Sequence, residues 1–249
     1  MEKDIFQNIE EMEKEIQTRS LAENKELYEY YYSSIIALGR SINNSFSAIP
    51  NNGIDNNYKL LNYIVAPKFI SISKNAMDMA IKGHPIESFN LTRLIFELIQ
   101  ITQYLTRHCE DIMKYYSGKI KPDEIRKKSE KEMPSKAGGK LFGLLSNYSH
   151  STKDVILITL KQNKDKIDSP IVVDNKILIN HAIHGVTIHT WGFYFGYRTA
   201  FHGDNITDDI IREKDAFLFD KTRIKHLFSN IQEVTMNEVS DLILKLDTP

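Results

Sequence analysis

The sequence predicts an all-α protein: a single-domain bundle of long helices around a buried central helix at residues 86–108. Three observations predict it. Apolar residues recur at helical spacing through most of the 249 residues. The joins between these stretches are short and marked by Gly, Pro or Asn. Neither a fixed-period repeat nor a clear linker divides the chain, so residues 1–249 read as one helical domain.

Composition narrows the class. A hydrophobic share of 41% and a charged share of 26% are ordinary for a globular protein. The net charge of −1, with acids and bases interspersed, argues against a general electrostatic grip on nucleic acid. A local basic patch is still compatible with it. The single cysteine, Cys109, excludes an intrachain disulfide and any multi-cysteine metal site, and fits a reducing compartment. Residues 1–17 are charged and amphipathic and lack the apolar core of a signal peptide. No apolar run approaches the roughly 20 residues that span a bilayer. The expectation is a cytoplasmic protein with no membrane contact and no cofactor. Abundant Asn, Lys and Ile point to an AT-rich bacterial genome.

In order along the chain, Ile5, Ile9, Met12 and Ile16 share one helix face. Residues 1–20 therefore read as a first helix, or as an arm that packs on a partner. The polar residues 18–26 read as a break. Leu27, Tyr31, Ile35, Leu38, Ile42 and Phe46 are in phase for a second helix over residues 27–49. Residues 50–57 hold Pro, Gly and four Asn, a loop by composition. Residues 58–82 form a long helical stretch that Pro67 should kink or restart. Gly83 closes it and His84-Pro85 punctuates, so the next helix should run antiparallel. A short helical piece follows around Ile112 and ends at Gly118. Pro122 opens a highly charged helix whose default reading is a solvated surface element.

Pro134 and Gly138-Gly139 mark a join, followed by a short helix ending in Ser146, Ser149, His150 and Ser151. The apolar run 155–160 is too short to assign by period. Residues 170–179 read either as a hairpin or as the lead-in to a helix capped by Asp174 or Asn175. The helix is favoured, because periodicity then continues to about His202. A short helix over 205–212 and a last long helix over 217–246 complete the chain.

The central helix carries a mixed message. Leu91, Leu94, Leu98, Ile101 and Leu105 form one narrow stripe, and Ile95, Phe96 and Ile99 spread apolar surface around it. Arg93, Glu97, Gln100 and Tyr104 form a second, polar line at 4-3-4 spacing. Arg93 and Glu97 are one turn apart and can pair. Such a pair either sets helix register or faces a ligand pocket.

The second polar feature is the histidine-rich stretch 180–203. His184, Trp191, Arg198 and His202 fall in a narrow arc of one helix. His181 and His184, at i and i+3, are weak metal candidates with no carboxylate nearby in that helix and no HExxH pattern. Gly185, Gly192 and Gly196 are in register on another face, a signal for close helix packing. An arginine and a histidine on one face, Arg198 and His202, suit a phosphodiester: the histidine moves a proton and the arginine holds phosphate charge.

At Arg198-Thr-Ala-Phe-His202 the chain resembles the HEPN-type bacterial helical bundles. These include toxin and defence ribonucleases with an Arg, four to six residues, then a His; here the gap is three. The resemblance implies Arg198 as phosphate ligand and His202 as acid and base. A broader likeness covers residues 60–200. Arg93-x3-Glu97, followed by Leu145-Ser146-x3-His150, looks like uncharacterised bacterial all-helical proteins with an Arg-x3-Glu helix and a later Leu-Ser-x-x-x-His stretch. It implies that Arg93, Glu97, Ser146 and His150 converge, and the polar line of the central helix adds Tyr104 to that candidate ligand centre.

Three functions follow as expectations. The first is a self-associating interaction or regulatory protein in a defence or stress system, with a polar centre that is structural or senses a small ligand. The second is a metal-independent ribonuclease acting on RNA through Arg198 and His202. The third is a histidine-bound metal protein.

Overall fold

A computed structural model describes residues 5–48, 55–132, 172–202 and 218. The expected junction 133–139, Ser146, His150, the run 155–160 and the helices over 205–212 and 217–246, Leu218 apart, lie outside the described residues. So do the side chains of Arg198 and His202.

Every element of secondary structure among the described residues is a helix or a helical turn. Helix α1 spans Ile5–Glu23, α2 Lys25–Ala48, α3 Asp55–Ile81 and α4 Pro85–Arg107. A 3-10 turn, Cys109–Asp111, leads into α5, Ile112–Tyr116, and then α6, Pro122–Glu132. Helix α7 spans Lys176–His202. The core lies where α4 packs on α3, α6 and α7, and where α7 packs in turn on α2 and α3. Among the described residues no helix is long and apolar enough to cross a membrane.

The expected break at residues 18–26 is a single turn residue. Helix α1 runs to Glu23 and α2 begins at Lys25, with only Asn24 between them. Buried Asn24 fills the join: its side-chain amide donates back to the Ser20 carbonyl at 3.1 Å and across to Asn180 Oδ1 at 2.8 Å. Polar residues here continue the helix because a distant element answers them. Only Ile16 and Ser20 of α1 are buried, so this helix lies at the edge. Its attachments are Glu13 to His84 at 2.9 Å, Arg19 to Asp174, and Glu23 to Lys176 at 3.0 Å.

Pro67 sits inside α3, which runs through it as one helix rather than restarting. Gly83 then ends the α3 segment with φ +87°, a backbone that L side chains rarely adopt. The Gly83 carbonyl accepts from the Val173 N–H at 2.8 Å, and Val172 packs where a side chain on Gly83 would lie. Gly118, at φ +71°, ends the short α5 segment in open space. The alternatives at residues 170–180 resolve to the helix: Asn175 Oδ1 caps α7 by accepting from the Leu178 N–H at 3.0 Å. Asp174 is instead engaged by Arg19.

Candidate functional site

The central helix does not bury the expected stripe. Leu98, Ile101 and Leu105 are buried, but Leu94 is 43% exposed. Ser88, Thr92, Ile95 and Gln100, outside that stripe, are all at 0% exposure, as is Leu105 within it. Helices α3, α6 and α7 approach from different sides, so small polar residues sit in the tightest contacts. The polar line splits accordingly. Arg93 and Glu97 pair at 3.6 Å and remain about a quarter exposed (26% and 25%). Gln100 and Tyr104, further along, are enclosed. The Gln100 amide nitrogen and oxygen are both buried, with no hydrogen-bond partner among the described residues.

The best-formed polar centre lies at the C-terminal end of α4, where Asp111 is its hub. Tyr104 Oη donates to Asp111 Oδ2 at 2.7 Å, inside the protein. Lys114 Nζ donates to Oδ1 at 2.7 Å, and Lys128 Nζ to Oδ2 at 3.5 Å. Lys128 also lies over the Tyr104 ring, 5.5 Å from its centre. The Tyr104 ring also stacks on His108, with centroids 4.4 Å apart. His108 Nε2 is 2.9 Å from Glu132 Oε1, and Arg107 donates to the same carboxylate at 3.1 Å. Helix α6 is thus fastened to α4 at two levels, through Lys128 and through Glu132.

The charges settle in a consistent pattern. Donation from Lys114, then from Tyr104, holds the Asp111 carboxyl down at about 2. Burial, then the bond to Asp111, pushes the Tyr104 phenol up. Contact with Tyr104, and secondarily the Asp111 charge, raises Lys128. Asp111 is thereby held as a carboxylate and Lys128 as an ammonium, while Tyr104 is held as the neutral phenol that donates between them.

Sequence reasoning reached Tyr104 but not Asp111, Lys114, Lys128, His108 or Glu132. The i, i+3 pair Asp111 and Lys114 was a readable local signal. The closure by Lys128 was not, since it comes from a helix that reads as solvated. Ile125 and Ser129, at 0% exposure, show that α6 has a buried face despite its charge.

On α7 the histidines are separate in character. His181 Nδ1 donates to the Ile177 carbonyl at 2.7 Å, with Asn24 reaching the neighbouring Asn180. Burial, with a smaller contribution from His181, pushes the His184 imidazole down to about 4. His189 donates from Nδ1 to the Gly185 carbonyl at 2.6 Å and meets the Phe96 ring edge-on. Its burial also lowers its pKa. Among the described residues no three His, Cys, Asp or Glu side chains gather as a metal site.

The glycine face of α7 meets α4: a methyl on Gly185 would touch Thr92, and one on Gly196 would touch Gln103. Beside it lies a cavity of about 20 Å³ lined by Thr102, Gln103, Gly192 and Tyr197 among others. That volume has room for about one water, not for a substrate. Helix α7 is unbroken to His202, so Arg198 and His202 stand one helical turn apart at its end.

Comparison with protein-family models, with curated proteins and with solved structures finds no match to this chain.

Proposed function

We propose that this chain is a helical interaction or regulatory protein of the HEPN-like sort that acts by self-association. The observation that carries this reading is the state of Asp111. Lys114 takes one of its oxygens, and Tyr104 and Lys128 share the other. A general acid or base works best with a pKa near the working pH. Here the carboxyl is held near 2, while the phenol and ammonium are raised. Such a centre holds α6 in place and has no proton ready to transfer at neutral pH. Sedimentation of the purified chain over a wide concentration range tests the reading. Reversible pairing is expected, with added RNA left intact. A strictly monomeric chain would remove it.

A second reading is favoured by the unbroken end of α7. A metal-independent ribonuclease would use Arg198 to hold phosphate and His202 to move the proton. It predicts RNA cleavage that survives chelation and is lost in His202→Ala. Full cleavage by that variant would exclude it.

A further inference from the structure

The basic residues of this chain are unevenly placed. The whole carries a net charge of −1, yet residues 112–131 hold seven Lys and Arg against three acids. From Ile112 to Pro122 there is no acid at all. The fold turns this stretch outward as the corner between α5 and α6. The Lys114 carbonyl accepts from the N–H of Lys119 at 2.9 Å and of Ile120 at 3.2 Å, and the Tyr115 carbonyl accepts from Gly118 at 3.0 Å. These bonds fix the corner, and buried Ile112 and Ile120 anchor it. Ser117, Gly118, Lys119 and Lys121 are exposed. Nothing lies within 4 Å of where a Cβ on Gly118 would point. The corner is therefore convex.

Its surface joins cations to apolar groups. Lys114 and Lys128 both reach the one carboxylate of Asp111. Their side chains stay about half exposed (52% and 47%), while that of Asp111 is at 9%. The hub thus shows solvent more positive charge than negative. Lys119, Lys121, Lys127 and Lys131 are exposed, with no ion-pair partner among the described residues. The opposing charges on α6 are Asp123, 3.9 Å from Arg126, and Glu124. Met113, beside Lys114, is 54% exposed. Tyr115 and Tyr116 are half-buried, with ring centroids 5.9 Å apart.

We infer that the α5–α6 corner docks on an anionic lipid surface, with its lysines over the headgroups and Met113 entering the interface. A lysine cluster is drawn to acidic lipids, and an exposed apolar residue gains by leaving water. A single nucleic-acid strand matches the charge of the corner but is held in grooves that track its backbone. A convex corner with an exposed methionine suits a broad, partly apolar surface instead. The lack of a spanning helix among the described residues concerns crossing a bilayer, not lying against one. The inference goes beyond the self-association proposed above and does not depend on it.

Flotation of the full-length chain with vesicles tests it. One set is phosphatidylcholine alone, and the other is phosphatidylcholine and phosphatidylserine in equal parts. Binding is expected on the mixed vesicles only, and it should weaken as salt rises. Lys119→Gln and Lys121→Gln should each weaken it about fivefold, the weight of one lysine near such a surface. Met113→Ser should weaken it by about the same factor, from loss of a partly buried apolar side chain. Lys25→Gln, at the start of α2, should change nothing. All four substituted residues are exposed, and melting curves check that the variants stay folded. A chain that ignores the mixed vesicles overturns the inference, as does equal binding to phosphatidylcholine alone. Binding that both corner lysine variants leave intact overturns it too. If Met113→Ser binds as well as the parent, and a single-stranded oligonucleotide displaces the vesicles, the occupant is nucleic acid and the lipid assignment falls.

Discussion

The Tyr104 hydroxyl lies 2.7 Å from the Asp111 carboxylate across the break that ends the central helix. The chain turns at His108, and the 3-10 turn carries Asp111 back toward the phenol. With Lys114 and Lys128 on the same carboxylate, the helix end is closed by side chains rather than by a glycine.

Acid should loosen this joint. The folded carboxyl of Asp111 titrates near 2 against an ordinary 3.8. Its contribution is therefore complete above about pH 5 and is lost as pH falls from about 4 to 2. Tyr104→Phe removes the donor from a buried residue and should cost about 2 kcal/mol at neutral pH. It should also move the Asp111 titration upward. Urea unfolding at several pH values, with carboxyl NMR on Asp111, checks both. An unshifted titration in Tyr104→Phe would mean that the hydroxyl does not support the charge.

Gly83 and Gly118 both hold positive φ, yet substitution should separate them. A Cβ on Gly83 would meet Val172 Cγ1 at 2.9 Å and Ile16 Cδ1 at 3.0 Å, whereas Gly118 has nothing within 4 Å. Gly118→Ala should cost about 1 kcal/mol, the backbone term alone. Gly83→Ala should cost about 2 kcal/mol or more, since both α1 and the start of α7 must shift. Equal losses in melting experiments would contradict this packing.

Gln100 is enclosed in the central helix, and neither amide atom is bonded among the described residues. Replacing a buried, unanswered polar group with an apolar one of similar size removes a desolvation cost of about 1–3 kcal/mol. Gln100→Leu should therefore raise the melting temperature. A marked loss of stability would show that the amide is answered in solution.

Arg93 and Glu97 sit a quarter exposed at 3.6 Å. An i, i+4 pair of that kind contributes about 0.3–0.5 kcal/mol. Glu97→Gln should change stability by less than about 1 kcal/mol in low salt, and by still less in high salt. A loss of several kcal/mol would indicate a deeper role for the pair than the geometry gives it.

His184 should remain neutral well below the usual imidazole range. Burial lowers its folded pKa to about 4 from 6.5, so the unfolded chain binds more protons between these values. Stability tied to His184 is complete above about pH 6.5 and falls as pH drops toward 4. His184→Gln should flatten the pH dependence in that window. Imidazole NMR showing ordinary titration at His184 would count against its burial.

Much of the fold was legible because local chemistry marks helix limits. Pro85 opens the central helix, Gly83 and Gly118 end the segments before them, and Asn175 caps α7. Each acts on its own few residues through φ or a single hydrogen bond. The interruption expected at 18–26 fails for the opposite reason. Helical backbone bonding passes through Asn24, and Asn180, far along the sequence, receives its amide.

The sequence by itself determined the all-α class, most helix limits, and which residues share a helix face. Periodicity assigns neighbours on one helix but does not say which faces other helices will cover. Tertiary structure alone decided that Leu94 stays exposed while Gln100 is enclosed, and that a charged helix supplies Lys128 to Asp111. It alone brought Tyr30 and Trp191 to the Leu218 carbonyl. Those contacts depend on helix-to-helix distances set by packing across the whole bundle, which no local spacing encodes.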